Sequence, residues 1–231
     1  MKKFLVVLFV LLALGTAAFA KQGFTVRGGI GYDFVNLKSA ESDAPGVDAK
    51  TWRANAFGAE FAVTYDFSDT FQLYVDSMLG FYNKFKVGNT EYTKDNFSDK
   101  VSFLSTAEHT GVAYNIDLGN NMNLQVGAGL AFEYARITGS DNDGDTTETA
   151  EIGIYSFGVG LYANFDYSFS EKFALAVTVH PDLMFVSGDH ASFTTSTVID
   201  NTVTTVSNST TTFGAGTSFK FNASVGVKFA F

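Results

Sequence analysis

The chain has 231 residues, among them 25 Phe, 10 Tyr, two Pro and no Cys, and a formal net charge of −9. Without cysteine there are no disulfides, thiolate metal sites, cysteine nucleophiles or cysteine-linked lipid anchors. An acidic chain repels nucleic-acid phosphates, so no nucleic-acid partner is expected, and the length suits one domain.

The amino terminus reads as an export signal. Lys2 and Lys3 give a basic start, Phe4 to Leu14 is unbroken apolar chain, and Ala18-Phe19-Ala20 offers a small-x-small cleavage site. Cleavage after Ala20 makes residues 1–20 a signal peptide and 21–231 the mature chain. Losing Lys2 and Lys3 moves the net charge from −9 to −11. A membrane-spanning helix is the alternative, but the apolar stretch is short and dissolves into Gly15-Thr16-Ala17-Ala18.

From Phe24 onward the pattern has period two, the sign of strands with one apolar and one wet face. It recurs eight times. The first strand sets Val26, Ile30 and Phe34 against Thr25, Arg27 and Asp33. The second sets Phe57, Phe61 and Tyr65 against Glu60, Thr64 and Asp66, and the third Leu73, Val75 and Leu79 against Tyr74, Asp76 and Tyr82. The fourth sets Thr110, Val112 and Tyr114 against His109, Ala113 and Asp117. The fifth sets Leu124, Leu130 and Phe132 against Gln125, Gly129 and Glu133. The sixth sets Phe157, Leu161 and Phe165 against Tyr162, Asn164 and Asp166, and the seventh Leu175, Val177 and Leu183 against Thr178, His180 and Asp182. The eighth, closing on Phe231, sets Phe219, Val225 and Phe229 against Lys220, Asn222 and Lys228.

The apolar rows exclude charge, as a lipid face must: a Lys or Arg at mid-bilayer costs about 2–4 kcal/mol. Glu108 is the exception, and a β-bulge at 107–109 is expected to re-aim it. Pro181 cannot donate to a ladder and a closed barrel has no edge to host it, so a bulge is expected there too.

Connections alternate short and long. Ser68-Asp69-Thr70, Gly119-Asn120-Asn121-Met122 and Ser170-Glu171-Lys172 are tight turns, whereas residues near 37–52, 86–100, 138–151 and 187–217 read as long polar loops. Asp66, Asp117 and Asp166 recur about fifty residues apart, each just before a short turn. Thr, Ser and Val crowd residues 192–212, which predicts a protruding hairpin turning at Asp200-Asn201. Aromatic side chains gather at two levels: Tyr65, Phe71, Tyr167, Phe173 and Phe229 in a lower girdle, and Trp52, Phe81, Phe85, Tyr134, Phe157 and Phe185 in an upper one.

These rows, the turn asymmetry and the closing Phe229 and Phe231 resemble the eight-stranded bacterial outer-membrane β-barrel superfamily (the OmpA transmembrane domain, OmpX, opacity-type and OmpW-like members). The resemblance implies an all-β, eight-stranded antiparallel up-and-down transmembrane β-barrel over 21–231. It implies Gram-negative outer-membrane localisation with periplasmic termini and extracellular long loops, surrounded by outer-membrane lipids and lipopolysaccharide-like glycolipids. It also implies that Phe229 and Phe231 act as the assembly signal read by the barrel-assembly machinery.

Eight strands leave an interior that side chains fill. The inward rows predict a lumen charge network of Arg27, Glu60, Asp76, Lys84, Glu133, Lys220 and Lys228, with His109, His180, Tyr74, Tyr82 and Tyr162 beside it. Asp66, Asp117 and Asp166 are expected to ring the periplasmic mouth against Lys228 and Arg27. No cofactor and no metal is assigned; the acidic run Asp141 to Glu148 departs from EF-hand spacing and reads as a solvated turn. His190-Ala191-Ser192 matches the His-x-Ser spacing of lipid A-modifying barrel enzymes, but it sits in a long loop with no following glutamate and only Asp200 to orient the histidine, which leaves such an enzyme as the lesser alternative. No enzyme is expected. Two functions stay open: a surface-exposed role in adhesion or envelope integrity, with 187–217 meeting host surface molecules, and a narrow pore or OmpW-like channel for small solutes. The polar inward rows weigh against an apolar conduit.

Overall fold

The computed structural model describes residues 23–38, 51–93, 100–199 and 202–231. The expected signal peptide, most of the loop at 37–52 and the Asp200-Asn201 turn lie outside the described residues. Among the described residues there are ten strands: β1 Phe24–Lys38, β2 Thr51–Asp66, β3 Phe71–Phe81, β4 Lys84–Val87, β5 Thr90–Thr93, β6 Lys100–Gly119, β7 Met122–Asp143, β8 Thr146–Ser168, β9 Phe173–Ile199 and β10 Thr202–Ala230. Eight of them close a ring of antiparallel neighbours, β1-β2-β3-β6-β7-β8-β9-β10, with β10 returning to β1. The small β4–β5 hairpin continues the line of β3 along β2.

Period two is what closes this ring with an apolar exterior. Ile30, Phe57, Phe81, Leu130, Leu161 and Phe219 stand exposed outside, while Thr25, Arg27, Glu60, Asp76, Gln125 and Lys220 are buried within. Ring closure removes the edge that a flat sheet would present. The short turns collect at one end, with both Phe24 and Phe231, whose backbones hydrogen-bond at 3.2 Å. There β6 turns into β7 through Asn120 and Asn121, both with positive φ (52° and 65°), the two-residue geometry that matches strand twist. Phe67–Phe71–Tyr114 and Phe169–Phe173–Phe229–Phe231 form chains of contacting rings around this end.

Three local expectations are corrected. No bulge re-aims Glu108: the β3–β6 and β6–β7 registers run through Ala107, Glu108 and His109 unshifted. Glu108 stays on the outer face and accepts a hydrogen bond from the Ser77 hydroxyl opposite. Pro181 is not bulged either. It pairs with Phe221 on β10, and on the β8 side the ladder lapses between Gly160↔Asp182 and Ala163↔Val179 with its register unchanged. A missing N–H therefore costs a rung rather than a shift. The bulge of β9 lies beyond, at Phe185, where both neighbours change register.

The third correction concerns the far end. The segments expected as loops at 138–151 and 187–217 are mostly strand: β7 and β8 meet at a two-residue turn with Gly144 at φ +61°, and β9 and β10 pair from Ile199↔Thr202 onward. The expected protruding hairpin is present. With β7 and β8 it forms a tall flank, since β9 and β10 have 27 and 29 residues against 15 and 16 in β1 and β2.

Candidate functional site

The lumen holds two stacked layers. Nearer the far end, Val35, Leu37, Ala54, Tyr82, Phe103 and Met184 belong to a packed apolar cluster. This overturns the expectation of a polar lumen throughout: the inward rows of β1 and β7 run on past their polar stretch into Val35, Leu37, Ala135 and Ile137. Trp52 and Phe85, expected in an outer girdle, join the cluster instead, stacked 5.6 Å apart. Phe81, Phe157 and Phe185 do face outward.

Below lies the charged layer. Arg27 Nε donates to Glu60 Oε1 at 2.8 Å, Nη1 donates to Asn164 Oδ1 at 2.9 Å, and Nη2 reaches Asp76. Asp76 also accepts from His180 Nε2 at 3.1 Å. Across the lumen, Lys220, 0% exposed, lies 2.6 Å from Glu133, 3.4 Å from Asp33 and 3.9 Å from Asp182. Asp182 Oδ2 meets His109 Nε2 at 2.8 Å. The His109 and His180 rings stack with centroids 3.9 Å apart, and Tyr74 stacks on Tyr162 at 4.2 Å. Inward glycines make room: a Cβ on Gly160 would stand 2.1 Å from Asp182 Oδ1, and one on Gly111 2.7 Å from Tyr74 Oη.

Arg27, Glu60, Asp76, Glu133 and Lys220 thus come together as the inward rows require. Glu60 pairs with Arg27, and Lys220 pairs with Glu133. Lys84 does not join. The strand breaks at Tyr82-Asn83, the inward phase resets to Phe85, and the Lys84 side chain, 62% exposed, points out to Glu91 at 3.5 Å. A hydrogen bond from Lys86 and the charge of Lys84 hold the exposed Glu91 carboxyl below its usual range.

The mouth residues separate as well. Asp166 is buried and accepts from Lys228 Nζ at 2.7 Å and from Gln125 at 2.9 Å. Asp66 accepts from Asn115 at 3.2 Å. Asp117 is exposed and accepts from the Gly119 backbone N–H at 2.8 Å, so it caps the turn and the expected three-carboxylate ring does not form. Phe229 contacts Phe231 edge-on at 4.9 Å at the turn end. The acidic tip at 141–148 brings no metal-ligand cluster together, whereas His109, His180 and Asp182 do form one: their ligand atoms lie within 4.8 Å of one another. His190 Nδ1 lies 3.1 Å from Thr211 Oγ1, the cross-strand partner of that position.

Sequence reading missed the His109–His180–Asp182 convergence. His180-x-Asp182 on one inward row was visible, but its partner lies 71 residues earlier on another strand. Only the ring order and strand tilt bring them together.

A family model described as "Domain of unknown function (DUF2715)" matches residues 18–231. No curated protein matches the sequence. Among solved structures, the outer membrane protein OprG from Pseudomonas aeruginosa is similar at 15% identity, covering 91% of this chain and 97% of that one, with a TM-score of 0.53. A major outer membrane protein from Thermus thermophilus is similar at 13% identity, covering 89% and 99%, with a TM-score of 0.52. The fold is that of the eight-stranded outer-membrane β-barrels.

Proposed function

The chain belongs to the family described as Domain of unknown function (DUF2715), and we propose that it is an integral outer-membrane barrel whose tall flank docks partners at the cell surface. The exposed belt of Phe, Leu and Val on the ring needs an apolar solvent. The short-turn end, where β1 begins and β10 ends, faces the periplasm, and residues 1–20 are the cleaved export signal. Phe229 and Phe231 are the assembly signal.

The observation that carries the docking role is the edge of β10. The strand pairs with β1 only from Phe221 to Ala230, while residues 204–211 extend beyond, exposed and paired with β9 alone among the described residues. Such an edge offers a row of backbone donors and acceptors to an extended partner segment, the main-chain mode called β-augmentation. The partner class is a host or bacterial surface protein with an extended segment. No catalytic role is assigned, since His190 is engaged with Thr211 and no carboxylate orients it among the described residues.

The test is attachment of cells displaying the protein to surfaces coated with host extracellular proteins. Removing residues 194–209 should abolish attachment while the barrel keeps its heat-modifiable mobility on gels. Attachment that persists in the folded, trimmed protein rejects the docking role.

A second reading is a conduit for small apolar molecules. It is favoured by the apolar upper layer; the cleft of about 460 Å³ beside the Tyr82-Asn83 break is lined by Phe57, Phe81 and Phe85 but also by Arg53, Lys84, Lys86 and Glu91, so it adds no apolar path. Uptake of a fluorescent apolar probe into vesicles would favour it.

A further inference from the structure

We propose that His109, His180 and Asp182 form a site for one borderline divalent transition-metal ion, such as Zn²⁺, inside the barrel. Two imidazoles and a carboxylate are the donor set that zinc and its neighbours take, whereas Ca²⁺ and Mg²⁺ want oxygen alone. All three residues are buried, and their ligand atoms lie within 4.8 Å of one another. Metal–ligand bonds of about 2.0–2.2 Å need those atoms to draw in by roughly 1 Å, a movement within reach of side-chain rotation.

Two further observations point to a ligand. The first is the hydrogen bonding of His180. Its Nε2 meets Asp76 Oδ2 at 3.1 Å, an arrangement that in a neutral ring puts the proton on Nε2 and the lone pair on Nδ1. That Nδ1 is buried and has no hydrogen-bond partner. A carboxylate on the far nitrogen of a histidine whose near nitrogen is vacant is the usual outer arrangement of a metal-bound imidazole. The ion would then take His180 Nδ1, His109 Nε2 and Asp182, replacing the proton now shared between His109 and Asp182 at 2.8 Å.

The second observation is charge. Apart from the Asp166–Lys228 pair, the buried layer holds, among the described residues, Asp33, Glu60, Asp76, Glu133 and Asp182 against Arg27 and Lys220. Keeping all five carboxylates ionised beside two cations is costly away from water. Protonating both histidines would set two imidazolium rings face to face at 3.9 Å. One divalent ion supplies two charges with the rings neutral. Lys220, 3.9 Å from Asp182, is held closer to Glu133 at 2.6 Å and to Asp33 at 3.4 Å, so its charge is already spoken for. The ion would tie β6 to β9 across the lumen, above the Tyr74–Tyr162 stack.

The test uses the full chain refolded in detergent with Zn²⁺ present, followed by metal analysis after gel filtration and a competitive chelator titration. One Zn²⁺ per chain is expected. His180→Gln, His109→Gln and Asp182→Asn should each weaken binding at least tenfold, Asp76→Asn should weaken it about 10–100-fold, and His190→Gln should change nothing. Because altering the charged layer risks misfolding, Cu²⁺ electron paramagnetic resonance on the unaltered protein provides the second readout. Hyperfine coupling to two nitrogens is expected. Less than stoichiometric Zn²⁺, binding that survives the three ligand substitutions, or an oxygen-only Cu²⁺ spectrum overturns the assignment.

Discussion

Lys220 shows how much a single inward residue can carry. Fully buried, it faces Glu133, Asp33 and Asp182 within 4 Å. Replacing it with Met leaves three carboxylates without their cation, and a broken buried pair costs about 3–5 kcal/mol. Urea titration of Lys220→Met in lipid vesicles should show a loss of that size. Glu108 is the reverse case, a carboxylate on the outer face among Leu79, Leu130 and Phe132, eased by the Ser77 hydroxyl. Glu108→Gln removes the charge and keeps the hydrogen bond, so the same titration should show a gain on the order of 1 kcal/mol. Residue by residue, the sequence disclosed which groups face inward, because alternation is local: Arg27, Glu60, Asp76, Glu133 and Lys220 all lie where period two puts them. It misled wherever the phase changes. Lys84 has inward parity counted from Tyr82, yet the break at Tyr82-Asn83 turns it out. Nor can local pattern show that His109 meets His180, since that contact depends on the tilt of the whole ring.

At the scale of strands, the interruptions are more telling than the regular ladders. Pro181 removes one rung against β8 without changing register. Pro181→Val restores a backbone donor facing β8 and should raise stability by about 1 kcal/mol, read as a higher urea midpoint at unchanged slope. The bulge at Phe185 then re-sets β9 so that Ser187 is buried and hydrogen-bonds Ser156 at 3.1 Å. Strand existence and facing were readable because eight apolar rows recur at regular intervals. Strand ends were not, because Thr-, Ser- and Asp-rich segments such as 138–143 and 191–199 carry no apolar alternation and are held straight by their neighbours alone. The same limit concealed the apolar upper layer, whose residues Val35, Leu37, Ala135 and Ile137 lie beyond the expected ends of their strands.

At the scale of the molecule, the lumen is filled by one apolar and one charged layer, with Arg27 joined through Asn164 to Asp166 and Lys228 at the turn end. No water-wide passage is expected through such packing. In planar bilayers the protein should therefore carry no steady ion current, and vesicles holding it should stay tight to small sugars; a stable conductance would show that the layers part. The wall itself is lopsided. β9 has 12 more residues than β1, about 40 Å of added strand length at roughly 3.3 Å per residue. A broad body settling on the barrel would rest on that crest along one line and leave the lower rim untouched. If grip along the line comes from peptide groups, the Thr, Ser and Val side chains there go unread. They are then free to drift from strain to strain, so that antibodies raised against one version lose their target while the grip is kept.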